Sequence, residues 1–399
     1  MIKSDFLIIG GGIFGISIAR QLKQQYPNVK VIVLEKEPQI AAHASGRNSG
    51  VIHAGFYYTA DSLKAKFTKR GNQLLTEYCE SRKLAINKCG KLVVAKHNGD
   101  LPFLEELLKR GQANGVELQR VTAKEAKSIE PRVLTYEKAL FSPTTSSVNP
   151  LEVMECMAQE ALREGVEIHF DTRYLKKSSS GIMTSAGLYQ TGYCVNAAGL
   201  YADKVAMDFG FSERYRILPF KGLYLYSDEP VGALRTNVYP VPDLQNPFLG
   251  VHFTMMVDGH MKIGPTAIPA LWREQYGTFE NFRLSELMEI AVRELQLMIQ
   301  SNFQFRRLAI QEIQKYSRSH MIAQAASLVE GIRPEHFQRW GRPGIRAQLM
   351  NVKKGTLEMD FVVEGDRHSF HVLNAVSPGF TCALPFAQYI CERIGSLLH

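Results

Sequence analysis

An unbroken apolar run, Phe6–Ile9, and a second apolar run, Val29–Leu34, flank a stretch in which Ile13, Ile16, Ile18, Ala19 and Leu22 supply a helix face. Continuous apolar residues suit strands buried on both sides, and the recurrence between them suits a helix laid over those strands. The chain therefore opens with a βαβ unit. Further on, the periodicity predicts helices over residues 101–113, 153–163, 284–300 and 305–329, a short strand over 166–170, and a last helix from about Leu384. Alternating apolar runs from Arg216 to about Ile263, among them Gly222–Tyr226 and Phe248–Phe253, predict an antiparallel sheet with Pro240, Pro242 and Pro247 at its edges.

The turn after the first run reads Gly10-Gly11-Gly12-Ile13-Phe14-Gly15. Gly10 permits the tight turn, Gly12 lets backbone approach a pyrophosphate, and Gly15 lets the helix pack close to the strand. Phosphates are then expected at the helix N-terminus, where unpaired N–H groups and the helix dipole favour anions. Glu35 closes the second strand, where an acid can accept the ribose hydroxyls of an adenosine. A glycine turn alone is a weak signal, but the whole unit is that of a dinucleotide site.

Composition narrows the class. A chain of 399 residues is long enough for two domains, and 45% hydrophobic with 22% charged residues is ordinary for a folded enzyme. The formal net charge of +8 fits anionic substrates, a membrane surface or nucleic acid. The densest basic group, Lys64, Lys66, Lys69 and Arg70, carries no nucleic-acid motif, so no nucleic-acid partner is expected. Six cysteines without CxxC pairs read as reduced thiols, and no metal site is expected. The first strand begins by about Asp5 and no run of 18 apolar residues occurs, so the expectation is a cytoplasmic protein that does not span a membrane.

The choice between NAD and FAD rests on further small-residue loops that would surround a ring-bearing ligand. Three are present: Ser45-Gly46-Arg47-Asn48-Ser49-Gly50, Val195-Asn196-Ala197-Ala198-Gly199 and Ser377-Pro378-Gly379-Phe380-Thr381. Each alone reads as a turn; together, around a dinucleotide unit, they favour FAD.

Glu35-Lys36-Glu37 followed by SGRNSGVIHAGFYY, Ser45 to Tyr58, resembles the glutathione-reductase-like flavoproteins of the D-amino-acid oxidase/glycerol-3-phosphate dehydrogenase superfamily. With Tyr239–Asp243, Pro247–His252, Gly264-Pro265 and Arg342–Gln348, the chain is more narrowly similar to the L-2-hydroxyglutarate dehydrogenase/oxidase family, from Ile8 to about Ala387. Arg47, and Lys221 where the resemblance implies arginine, depart from that pattern. The resemblance implies an α/β fold with a Rossmann-like FAD-binding domain, discontinuous over 1–90, 145–215 and 330–399. It also implies an α+β substrate domain over 91–144 and 216–329 that contains the antiparallel sheet. The implied activity is oxidation of L-2-hydroxyglutarate to 2-oxoglutarate, with electrons passed to oxygen or to a membrane quinone and peripheral membrane association left open.

Such an oxidation needs a base for the hydroxyl proton while flavin N5 takes the hydride, and histidine suits because it titrates near neutrality. Motif resemblance favours His53, with His252 as the alternative; His53 could equally contact or carry the flavin. A dicarboxylate needs cationic anchors, of which Arg346 comes first, then Lys221 and Arg47, with Tyr57, Tyr58 and Thr254 as hydroxyl donors. Arg333, in Gly331-Ile332-Arg333-Pro334, is a separate candidate. Oxidation of glycerol 3-phosphate or an amino acid, and a non-catalytic flavin relay, are the competing readings.

Overall fold

The computed structural model describes residues 1–242, 249–300 and 316–398. Pro247, Phe248 and the 305–315 part of the expected fourth helix lie outside the described residues.

The opening strand, Ile2–Ile9, pairs in parallel with Val31–Leu34 on one side and Gly187–Asn196 on the other. Glu167–His169 extends the sheet beyond Val31–Leu34, and Ser369–Asn374 pairs with the end of Gly187–Asn196. This is a Rossmann-like sheet. Its register is what makes a site: Ile9 sits opposite both Leu34 and Asn196, so three strands end level with one another. Gly10, Glu35 and Ala197 therefore leave the sheet at one edge, and the loop after Asn374 leaves there too. Ligands of such sheets bind beyond the carboxyl ends of the strands. The helix Ile13–Gln25 buries Ile13, Ile16, Ile18, Ala19 and Leu22 against the sheet and the C-terminal helix.

A second, eight-stranded sheet runs Arg339–Trp340, Leu225–Tyr226, Met261–Gly264, His252–Met255, Asn237–Pro240, Lys91–Val94, Lys138–Ser142 and Gln119–Thr122. It is antiparallel except where Asn237–Pro240 runs parallel to Lys91–Val94. The period of two divides its faces cleanly. Leu92, Val94, Val238 and Phe253 enter one hydrophobic cluster. Lys91, Val93, Tyr239 and His252 occupy the opposite face by the same register.

The apolar runs expected to form one sheet from Arg216 onward divide between two. Tyr215–Gly222 pairs along its whole length with Gly344–Asn351 in a separate four-stranded sheet, and the chain breaks before Leu225–Tyr226 joins the other. Pro240 ends an interior strand rather than an edge, tolerated because the last strand residue need not donate to the ladder. The helices over 101–113 and 284–300 appear with those bounds. Within the described part of 305–329 the helix is Arg318–Ala326, and Val329 already bridges to Val133. The last helix begins at Gly379, not near Leu384, and carries Pro385 in its second turn. Proline cannot bond the Thr381 carbonyl four residues back. That carbonyl instead abuts Gly71, where a Cβ would collide with it.

Candidate active site

A cavity of about 770 Å³ opens at the level strand ends and extends to the His252 face of the second sheet. Its wall includes Gly10, Gly12, Ile13, Phe14, Glu35 and Lys36 from the βαβ unit, and Ser45, Asn48 and Ser49 from the first small-residue loop. Ala198 and Gly199 of the second loop and Ser377, Gly379, Phe380 and Thr381 of the third line it as well. The four glycine-punctuated segments therefore meet around one space.

Local bonds shape each segment. The Asn48 carboxamide donates to the Ser45 carbonyl at 2.8 Å and accepts from the Gly50 amide at 2.9 Å, which curls the loop. Asn196 accepts from the Ala198 amide at 3.1 Å and donates to the Ala202 carbonyl at 2.7 Å, fixing the second turn. Glu35 accepts from the amides of Gly11 and Glu37, each at 3.0 Å, while burial pushes its carboxyl up from the ordinary range. Lys36 is held by Glu37 and Glu274, each at 2.6 Å.

The residues present fit FAD. At Gly10, with φ +107°, a Cβ would lie 2.5 Å from the Ala197 carbonyl oxygen. At Gly12 it would stand 3.1 Å from the Ser45 hydroxyl, and at Gly379 3.2 Å from the Phe14 ring. All three glycines line the same cavity, and a side chain at any of them would crowd another segment of its wall, so their absence lets the segments close to the spacing a dinucleotide cradle requires.

His53, His252, Arg346 and Arg47 also line it. His252 gives its Nδ1–H to the Gly250 carbonyl at 2.8 Å, because a carbonyl can only accept, and this leaves Nε2 as the ring's acceptor nitrogen. Its ring stacks on Tyr239 with centroids 3.6 Å apart. Burial holds its pKa well below the usual histidine value; the Gly250 bond opposes this, and the charges of Lys91 and Arg346 add to it. His53 is pushed down to about 3 by burial and then by Lys91, and its Nδ1 has no hydrogen-bond partner among the described residues. Its amide donates to Thr381 Oγ1 at 3.1 Å, tying the first and third loops together. Arg346 stands opposite Phe220 in the four-stranded sheet and donates to the Thr266 carbonyl at 2.9 Å. Arg47 is turned to the Ala42 carbonyl at 2.6 Å and lies 4.2 Å over the Tyr276 ring.

Gly15, Gly50, Tyr57, Tyr58, Lys221 and Thr254 are not among the described residues that line the cavity. Gly15 packs on the Gly10 carbonyl, and a Cβ at Gly50 would strike the Val148 carbonyl. Tyr57 and Tyr58 belong to a hydrophobic cluster with Phe56 and Val93. Lys221 sits between Ile268 and Ile345 in its sheet, and burial pushes its ammonium down. Thr254 is fully buried in the second sheet. Arg333 is exposed and likewise apart. Conversely, the cavity gathers His43, Tyr224, Tyr239, Leu249, Pro265, Glu274, Arg283 and Glu286. Of these, Tyr239 stands in the Tyr239–Asp243 motif that carries the family resemblance; Glu274, Arg283 and Glu286 carry no sequence signal.

The family model for FAD dependent oxidoreductases (DAO) matches residues 5–393. A mitochondrial L-2-hydroxyglutarate dehydrogenase of Caenorhabditis briggsae is 37% identical, covering 98% of this chain and 93% of its own. An L-2-hydroxyglutarate dehydrogenase of Indibacter alkaliphilus is 36% identical and covers 97% of each chain. Among solved structures, the dithionite-reduced L-α-glycerophosphate oxidase of Mycoplasma pneumoniae with FAD bound superposes with a TM-score of 0.78 at 22% identity, over 99% of this chain and 95% of that one. FAD is thus the cofactor, and the chain belongs to the FAD-dependent oxidoreductase family and, within it, to the family of the L-2-hydroxyglutarate dehydrogenases.

Proposed function

We propose that the chain oxidises L-2-hydroxyglutarate to 2-oxoglutarate, and that His252 and Arg346 carry the reaction on the protein side. The observation that supports this most is their presence on one cavity wall with the glycine cradle, His252 having its acceptor nitrogen fixed by the Gly250 bond. Arg346 holds a substrate carboxylate, where a guanidinium gives direction as well as charge. His252 Nε2 takes the hydroxyl proton as the C–O double bond forms. Bound in the cradle, FAD supplies the two-electron acceptor for the hydride leaving the same carbon. We rank His252 before His53 because a base works best when its other nitrogen is fixed. His53 then braces the loop against Thr381. Tyr57, Tyr58, Lys221 and Thr254 support the wall, and Arg47 braces the first loop. The domain division over 1–90, 145–215 and 330–399 against 91–144 and 216–329 is proposed with this function.

The electron acceptor we assign to a quinone at the cytoplasmic face of a membrane rather than to oxygen. No helix among the described residues is long and apolar enough to cross a membrane. One helix, however, exposes a continuous apolar stripe: Leu284, Met288, Val292, Leu295 and Ile299 are 56–64% exposed and lie three or four residues apart. Phe279, 78% exposed, precedes it in the chain. The stripe together with a net charge of +8 fits docking on an anionic bilayer.

Two measurements test this reading. In an anaerobic panel, L-2-hydroxyglutarate should bleach the flavin absorbance with a second-order reduction rate constant at least about tenfold above that of glycerol 3-phosphate or L-amino acids. Faster bleaching by either of those, or none by any, would overturn the substrate assignment. Vesicles containing phosphatidylglycerol should sediment the protein, and Val292→Glu with Leu295→Glu should abolish this; equal sedimentation would overturn the docking assignment.

A further inference from the structure

Lys91 is a lysine with no exposed surface, and its Nζ has no hydrogen-bond partner among the described residues. Three rings surround it instead, those of Phe56, Tyr57 and Tyr239, at 4.6 to 4.7 Å from their centroids. Aromatic faces attract a cation, but replace its lost hydration only in part. An unpaired buried charge destabilises a fold, and an apolar side chain of like size would serve the packing better. Stability therefore gives no account of this lysine.

Its position does. Lys91 and His252 share one face of the second sheet, and Tyr239 lies between their strands, in contact with both. We propose that Lys91 is a positioning residue for the oxidation: its charge, sealed against Tyr239, keeps the stacked His252 ring in the neutral form that can accept the hydroxyl proton. This rests on the reading of His252 as the base.

Burial drives His252 the same way, the Gly250 carbonyl opposes it, and Lys91, His53 and Arg346, which face it, each add to it. The groups facing Lys91 are Cys89, Tyr57, Tyr239, His53 and His252, none of them a carboxylate. Its own ammonium is pushed down to about 7 by burial, so it carries charge in the acid range where His252 would otherwise protonate. The distances of 3.6 Å and 4.7 Å to the Tyr239 centroid set the two groups within about 8 Å. At an effective dielectric of about 20, repulsion over that distance displaces a histidine by roughly one and a half pH units.

The test is kcat/KM for L-2-hydroxyglutarate against pH with the FAD-loaded enzyme, for wild type, Lys91→Met, Lys91→Gln and Lys91→Arg. The pH dependence of kcat/KM reports the base in the free enzyme. In both neutral variants the acid limb should move up by roughly one and a half pH units, with FAD content unchanged, while Lys91→Arg keeps the wild-type limb. An unmoved limb in neutral variants that hold FAD would overturn the proposal. So would neutral variants that fail to fold or load FAD, since a charge that only positions a base is not needed for folding. A wild type that turns over the substrate without an acid limb would remove the base assignment and this inference with it; a wild type that leaves L-2-hydroxyglutarate untouched would instead refute the substrate reading.

Discussion

Replacing Gly10 by alanine tests whether the glycine turn is a cradle or merely a bend. At φ +107° an L residue is strained whatever its surroundings, at roughly 1–3 kcal/mol. The added Cβ would also lie 2.5 Å from the Ala197 carbonyl oxygen, where ordinary contact begins at 3.4 Å. Ala197 cannot retreat freely, because its amide bonds the Ile9 carbonyl at 2.9 Å; stretching that bond costs about 1 kcal/mol more. Together these give roughly 2–4 kcal/mol, which the free protein relieves by shifting the turn out of its cradle geometry; recovering that geometry for FAD costs up to the same amount, and since about 1.4 kcal/mol is tenfold in binding, FAD affinity should fall by up to about 30- to 1,000-fold. The control is Gly187→Ala, which has φ +117° but nothing within 4 Å of the added Cβ. It isolates backbone strain in a hairpin turn, and should lower Tm while leaving FAD affinity alone. The assay is fluorescence titration of the apoprotein with FAD, together with Tm. A Gly10→Ala protein that binds FAD within about threefold of wild type would refute the cradle argument.

Three further outcomes follow from the site. His252→Gln should retain FAD yet slow flavin reduction by about 10²–10⁴ in stopped flow, and a slowing of under about threefold would remove it as the base. Arg346→Met should lower kcat/KM for the dicarboxylate by about 10- to 100-fold through loss of a charged hydrogen bond, with FAD affinity unaltered; an unchanged kcat/KM would release Arg346 from the substrate. His53, held down to about 3 by burial, lies below the ordinary 6.5, so its neutral ring contributes stability that is complete above pH 6.5 and is lost as pH falls towards 3. Urea midpoints should drop less steeply over that window in His53→Asn than in wild type, and parallel curves would contradict the account.

The dinucleotide end was legible because its constraints are local. Phe6–Ile9, the glycine turn and Glu35 lie within one supersecondary unit, and each residue type answers a backbone requirement visible in sequence. The substrate end was legible only in part, since cross-strand register decides it. Tyr57 and Thr254 are polar residues in plausible segments, yet the packing of Tyr57's turn into a hydrophobic cluster and the pairing of Thr254's strand turn them into buried walls. Lys91 sits in the apolar strand Lys91–Val94, where a single charge reads as the strand's solvated start. The parallel pairing with Asn237–Pro240, which brings Tyr239 over it, and the Phe56 and Tyr57 rings enclose it, and neither is visible in the strand's own sequence. The early start of the last helix was hidden by Pro385, which mimics the proline of a first turn.

The central claim is that one cavity joins an FAD cradle to a base and a carboxylate anchor suited to one enantiomer of 2-hydroxyglutarate. Its most direct test is an anaerobic titration of the purified holoenzyme, following absorbance in the flavin band. The L isomer should discharge the yellow colour at one equivalent per bound FAD while the D isomer leaves it intact. Bleaching by the D isomer alone, or persistence of the colour with both, would contradict the account.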